Sequence, residues 1–263
     1  MNFLLIGDIF AKPGRKFLEE NLAKIQKQYQ VDFTIANGEN ITHGNHISKN
    51  HFLFLKSLNV DVVTSGNHIF DHKSTLEFIN QYPTLLRPLN MYHNLPGKGY
   101  VVVTKNNKKI LVTNIIGKAF MPHANNFYRP FTKLLKQFKN QKIDIHIVDF
   151  HGEATAEKKA FAYNFDGQVT CVFGTHTHVQ TADNQILAGG SAYITDLGMT
   201  GSYHSIIGAN PKEVIYKEKT NLRTRFVPSN KKAQFNACLL QVDEITNKAV
   251  ALTRIYLVPK ENV

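Results

Sequence analysis

VDFTIANGEN, residues 31–40, is an apolar run of strand length that stops at a glycine and then presents a carboxylate and an amide. Strands buried in a parallel sheet read as such short, nearly continuous apolar runs. The pattern recurs on both sides. FLLIGD (3–8) precedes it and closes on Asp8, and DVVTSGN (61–67) follows it, with Asn67 and His68 at its end. Helical stretches separate these runs. One begins near Pro13, a residue suited to a first helical turn. The next opens after Ser48, with Phe52, Leu53, Leu55 and Leu58 as its apolar positions, and a third is expected over 74–81. This βαβαβ alternation predicts a mostly parallel, buried sheet.

Further along, the pattern changes. GYVVVTKNNKKILVTNIIG (99–117) is two β-rich runs around a polar turn, a hairpin signal. A helix over 128–139 leads into the apolar run IDIHIVDFHG (143–152), and a helix over 155–163 leads into QVTCVFG (168–174) and GSAYITDLG (190–198). Residues 236–258 form another hairpin. No repeat, low-complexity block or linker interrupts the 263 residues, so one domain over 1–263 is expected. The mix of βαβ units and hairpins suits a four-layer α/β/β/α sandwich.

Hydrophobic residues at 43% and charged residues at 19% argue for a folded chain. No apolar run approaches the roughly 20 residues that span a bilayer, so no membrane partner is expected. Cys171 and Cys238 form neither a disulfide framework nor a CxxC pair, which points to a reducing, cytoplasmic setting. The net charge of +11 suits anionic partners such as phosphates or RNA, although the abundance of Lys explains it equally well. The Lys-rich stretches 105–109 and 133–142 read as a hairpin turn and a solvated helix face.

The polar residues of interest fall where strands end. Asp8, Glu39 with Asn40, Asn67 with His68, His151 after its strand, and GTHTH (174–178) with His176 and His178 come from five separate segments. In open α/β sheets, ligands bind outside the carboxyl ends of the strands. A set of carboxylates, amides and imidazoles gathered there suits a pair of divalent cations, because a carboxylate bridges while neutral donors complete the shells. Taken singly, Asp8 is as easily a cap and Asn67-His68 a turn; the conjunction favours the metal site. Asp71 and Asp196 are candidates to orient a ligating histidine, or else turn formers. His43, His46, His72, His93, His123 and His204 are expected to face solvent, with His46 and His204 open as substrate contacts.

These residues resemble the calcineurin-like metallophosphoesterase pattern. The longer stretches ANGEN, TSGNHIFD, HGEATAEKKAF, GTHTHVQTAD and AYITDLGMTG closely resemble its YmdB-like branch, bacterial phosphodiesterases acting on cyclic nucleotides. Two features depart from the wider superfamily: Phe10 stands where a histidine is usual, and Glu39 where the bridging residue is usually Asp. Both are similar to the YmdB-like branch. The resemblance implies that Asp8, Asn40 and His178 hold one metal and Asn67, His151 and His176 the other, with Glu39 as bridge. It carries no motif beyond Gly208.

The expected chemistry is hydrolysis of a 2′,3′-cyclic nucleotide, or also a 3′,5′-cyclic one. Two divalent or mixed-valence ions (iron foremost, with manganese, zinc or magnesium open) would acidify a water held between them and clamp the phosphate. His68, next to Asn67, is the candidate general acid. A phosphomonoesterase or RNA-cleaving nuclease on the same site, and an RNA-binding regulator with a structural metal site, are the alternatives. The oligomeric state is left open.

Overall fold

The structure, a computed structural model, describes residues 1–121 and 124–260; His123 lies outside them. In chain order the elements are β1 (Asn2–Ile6), β2 (Asp8–Ile9), α1 (Ala11–Gln28), β3 (Phe33–Asn37), α2 (Lys49–Ser57), β4 (Val62–Thr64) and α3 (Ser74–Phe78). A 3-10 turn over Ile79–Gln81 leads to β5 (Tyr100–Lys105), β6 (Lys108–Ile116), α4 (Tyr128–Phe138), β7 (Ile145–His151), α5 (Thr155–Asn164) and β8 (Cys171–Thr175). The rest comprises β9 (Gln185–Ile186), β10 (Ala192–Ile194), β11 (Met199–Ser202), α6 (Pro211–Thr220), β12 (Ala233–Val242) and β13 (Ala249–Leu257).

Local chemistry sets several boundaries. Ser48 caps α2, its side chain accepting from the His51 N–H. The β5–β6 hairpin turns on Asn106 and Asn107, both at positive φ, which is what a two-residue turn between twisted strands needs.

Two sheets result. The first has the order β2-β11-β12-β1-β3-β4, with β13 also paired to β12. Its centre, β1, β3 and β4, is parallel, and β12 joins antiparallel. The second has the order β5-β6-β7-β8-β10-β9. There β6, β7, β8 and β10 run parallel between antiparallel edges. The expected parallel sheet is thus found at each centre, and the two expected hairpins, β5–β6 and β12–β13, add antiparallel pairs, as do the short strands β9 and β11.

Alternation along each strand makes the layers. On β1, Leu4 and Ile6 turn outward onto Leu18 and Leu22 of α1 and Leu55 of α2. Phe3 and Leu5 turn inward, in one cluster with Ile110, Val112, Ile147 and Phe173 of the second sheet. That sheet's outer face, Val148 and Phe150, packs with Phe131 of α4 and Phe161 of α5. Helix, sheet, sheet, helix: this is the α/β/β/α sandwich. Four elements had escaped the sequence. β2 and β9 are two residues long, β11 four, and α6 buries only Val214, so none has a readable period.

His146 on β7 is buried against Phe131 and shares a 2.9 Å hydrogen bond with Thr113 Oγ1. Burial pushes its pKa down to about 3. The folded state therefore refuses a proton that the unfolded chain accepts below about 6.5. Its penalty is absent above that pH, grows as pH falls, and saturates near 3. Stability should fall by about 1.4 kcal/mol per unit across this window. Urea unfolding between about pH 6 and 4 should show a steeper loss of stability with falling pH in the parent protein than in His146→Gln, the difference in slope approaching that value.

Candidate functional site

The carboxyl ends of β1, β3 and β4 in one sheet and of β7 and β8 in the other meet at a single rim. Asp8 opens β2 just after the end of β1, with Gly7 between them, Glu39 and Asn40 follow β3, and Asn67 and His68 follow β4. His151 ends β7, and His176 and His178 follow β8. All eight residues expected from the sequence lie along this rim.

What gathers there is mostly lone pairs. His151 Nε2 lies 3.0 Å from Glu39 Oε1, 3.0 Å from Asn67 Oδ1 and 3.1 Å from His176 Nδ1. Beside them His178 Nε2 is 3.7 Å from Asp8 Oδ1. The buried oxygens Asp8 Oδ1 and Asn40 Oδ1 have no hydrogen-bond partner. An orphaned buried acceptor is costly, and two of them on one rim are atoms that a cation would satisfy. Gly66 permits the approach, since a Cβ there would sit 2.2 Å from His151 Nε2 and 2.4 Å from Glu39 Oε2.

Each histidine has its far nitrogen committed elsewhere. The Thr175 hydroxyl donates to Asp149 Oδ1 at 2.7 Å, which spends its one proton. The 2.9 Å contact from His151 Nδ1 to Thr175 Oγ1 must therefore be donated by the imidazole. His178 Nδ1 donates to the Ile207 carbonyl at 2.8 Å, and His176 Nε2 meets Glu153 Oε2 at 3.2 Å. What remains facing the site is His151 Nε2, His178 Nε2 and His176 Nδ1, the orientation metal-ligating histidines take.

His176 and His178 would share a face in a regular strand. Instead both have positive φ, 103° and 66°, so their rings part, one toward His151 and one toward Asp8. Such strain persists where surroundings enforce it. Here the enforcing group is a fully buried ion pair beneath the loop. Lys158 Nζ donates to Asp196 Oδ2 at 2.7 Å and to the Thr175 carbonyl at 2.9 Å. The Asp196 carboxylate in turn accepts the N–H groups of Thr177 and Gly198.

The charges respond to this packing. Burial raises Glu39, but His151 beside it dominates with the other histidines, and Glu39 is held down to about 2. Burial opposes a charge on His151, yet Glu39 and the neighbouring carboxylates lift it to about 9. A proton thus supplies the positive charge that the cluster requires. Burial, with His151 adding to it, takes His176 down to about 3, which keeps it neutral. Burial raises Asp8 despite His178 and His151. It also takes Asp149, which accepts from Asn37, Thr64 and Thr175, up to about 7.

His68 differs from the others. Its backbone N–H donates to Glu39 Oε2 at 3.2 Å, while its ring meets Asp71 Oδ2 at 2.6 Å through Nδ1, leaving Nε2 free. Asp71 therefore orients a histidine, and Asp196 fixes the backbone between two of them. Phe10 lies edge-on to His178, with ring centroids 5.5 Å apart. Gly44 and Gly208 close on the Phe10 ring so tightly that a Cβ on either would be 2.6 Å from it. His43, His46 and His72 line a cavity of about 1000 Å³ over the site, with His46 buried. His204 lies outside that cavity, edge-on to Tyr203, and His93 is exposed.

Glu39, His151 and His176 form a group able to hold a metal ion, their donor atoms all within 4.8 Å of one another. A family profile described as YmdB-like protein matches residues 4–255. The chain belongs to the YmdB-like family. A Bacillus subtilis relative named 2′,3′-cyclic-nucleotide 2′-phosphodiesterase is 40% identical over 257 residues, 98% of this chain and 97% of the relative. A Mycoplasma pneumoniae structure described as a novel phosphatase superposes with a TM-score of 0.92 at 40% identity, covering 98% of this chain and 93% of that one. A Thermus thermophilus structure of a hypothetical protein gives 0.91 at 35% identity, covering 97% and 98%. This YmdB-like chain is accordingly a hydrolase of the phosphodiesterase/phosphatase class. Its fold alone extends further, to a Staphylococcus aureus 5′-nucleotidase structure at 16% identity and a TM-score of 0.63. No helix among the described residues is long and apolar enough to cross a membrane.

Asp149, Thr175, Lys158 and Glu153 went unread in the sequence. Asp149 had a signal, an ionisable residue inside a strand buried at every position. Thr175→Val should release the His151 ring and weaken divalent-metal binding about 10- to 100-fold with the fold intact. Titration of the metal-stripped protein, with circular dichroism as the control, measures this.

Proposed function

We propose that the chain is a binuclear metal-dependent phosphodiesterase that opens 2′,3′-cyclic nucleotides to 3′-monophosphates. The observation that carries this reading is the convergence of buried lone pairs on one rim, with Asp8 Oδ1 and Asn40 Oδ1 orphaned among them. The 40% identical relative's name supports the substrate. In this reading Asp8, Asn40 and His178 hold one ion, Asn67, His151 and His176 hold the other, and Glu39 bridges. The donors fit: carboxylate, amide and imidazole together suit iron, manganese or zinc. Cys171 and Cys238, both free, accord with the cytoplasmic setting proposed for the chain.

Bound divalent ions would acidify a water and offset charge developing on the phosphoryl oxygens. The protein's own part is orientation and proton transfer. Asp71 holds the His68 ring through Nδ1, which leaves Nε2 to act as the proton donor. Water adds to phosphorus, the bond from phosphorus to the 2′ oxygen breaks, and that oxygen takes the proton from His68. The proton displaced from the water leaves to solvent, and the 3′ ester is retained.

His68→Ala should lower turnover of 2′,3′-cyclic AMP about 10²–10⁴-fold while metal content stays that of the parent protein. Loss of metal in this variant would make His68 a ligand and remove it as the acid. Parallel assays of 3′,5′-cyclic AMP, a phosphomonoester and an RNA oligomer decide whether the same site prefers another ester. Metal-independent, salt-sensitive RNA binding without turnover of any of these would instead favour a regulator.

A further inference from the structure

The cavity above the rim has one wall that the YmdB-like motifs do not reach. After α6 the chain turns at Asn221, at φ 55°, and residues 222–228 run without helix or strand. Both sides of the far end are fastened. Asn210 N–H donates to the Val227 carbonyl at 2.9 Å, and Ser229 N–H donates to the Gly208 carbonyl at 2.8 Å. The Ser229 hydroxyl also meets that of Ser202 at 2.8 Å. This strap brings Arg225 and Phe226 into the lining of the cavity whose floor is Glu39, Asn40, His176 and His178.

Phe226 is 42% exposed, a large apolar ring left at the border of a polar site. The Lys217 ammonium stands 5.2 Å from its centroid, which helps hold the ring at the rim. Elsewhere in the same lining, the His46 and His72 rings stack at 4.7 Å and 17°. The cavity therefore offers flat aromatic surface beside a floor that the proposed metal ions would make anion-seeking, and at about 1000 Å³ it is far larger than a cyclic phosphate needs. Pockets that take drug-sized ligands measure roughly 300–1,000 Å³.

We propose that the strap is a nucleobase subsite: Phe226 stacks on the base of the substrate, and Arg225 beside it meets the phosphate charge. Every nucleobase presents a π-face, so the subsite favours nucleotides over base-free phosphodiesters without selecting one base. The inference rests on the proposed reading of the rim as the phosphate site, and it adds the group that distinguishes a nucleotide from any other diester.

The test compares 2′,3′-cyclic AMP with ribose 2,3-cyclic phosphate, which keeps the ring diester and lacks the base. Phe226→Ala should raise KM for the nucleotide about tenfold or more, with kcat kept and KM for the base-free ester unchanged. Phe226→Trp should retain the parent KM, and Arg225→Gln should raise KM for both esters. Calorimetric binding of adenosine 3′-monophosphate to metal-loaded parent and Phe226→Ala proteins reads the same subsite without turnover. A parent protein that binds this nucleotide but hydrolyses neither ester overturns the proposed reaction and leaves the subsite standing. Equal KM changes for both esters in Phe226→Ala, or unchanged affinity for the monophosphate, overturns the subsite.

Discussion

Too many lone pairs at one place is the constraint on which the rest of the molecule depends. Glu39, Asn67 and His176 bring donor atoms to within 3.1 Å of His151 Nε2, and Asp8 and Asn40 add two buried oxygens with no partner. Such a cluster repels itself unless a positive charge sits within it. In the metal-free protein the proton on His151 fills that need, and its raised pKa is the signature. The proposed pair of ions would replace the proton and also reach the orphaned oxygens.

Holding such a cluster takes a rigid frame, and the two sheets supply it. Strand ends from both converge because the inner faces share one apolar layer, so β1, β3 and β4 cannot move independently of β7 and β8. Behind the first line of donors stands a second set of buried polar groups. Asp149 fixes Thr175, which fixes the His151 ring, and Lys158 with Asp196 holds the strained loop between His176 and His178. A buried ion pair of this kind is weak evidence for stability, because desolvation offsets its attraction. Its position under a strained loop fits a role in geometry.

The central strands were legible because burial on both faces leaves a short, mostly apolar run, as in 31–38 and 143–150. The site residues were legible because each follows such a run and ends it with a polar group. Legibility failed where the information is tertiary. Lys158 reads as one more surface lysine in a helix, and only the fold shows it enclosed against Asp196. Thr175 is an ordinary strand residue until Asp149 and His151 are placed on either side of it. The strap at 222–228 has no periodicity and depends on ties to residues 202–210. Phe10 was noticed as a departure, but its snug fit between Gly44 and Gly208 against His178 became visible only in three dimensions.

Metal content tests the central claim most directly. Protein purified without chelators or affinity metals should carry about two transition-metal ions per chain by elemental analysis, and replacing Glu39 with Gln should remove most of both. A parent protein free of metal that hydrolyses phosphodiesters undiminished in the presence of a strong chelator would contradict it.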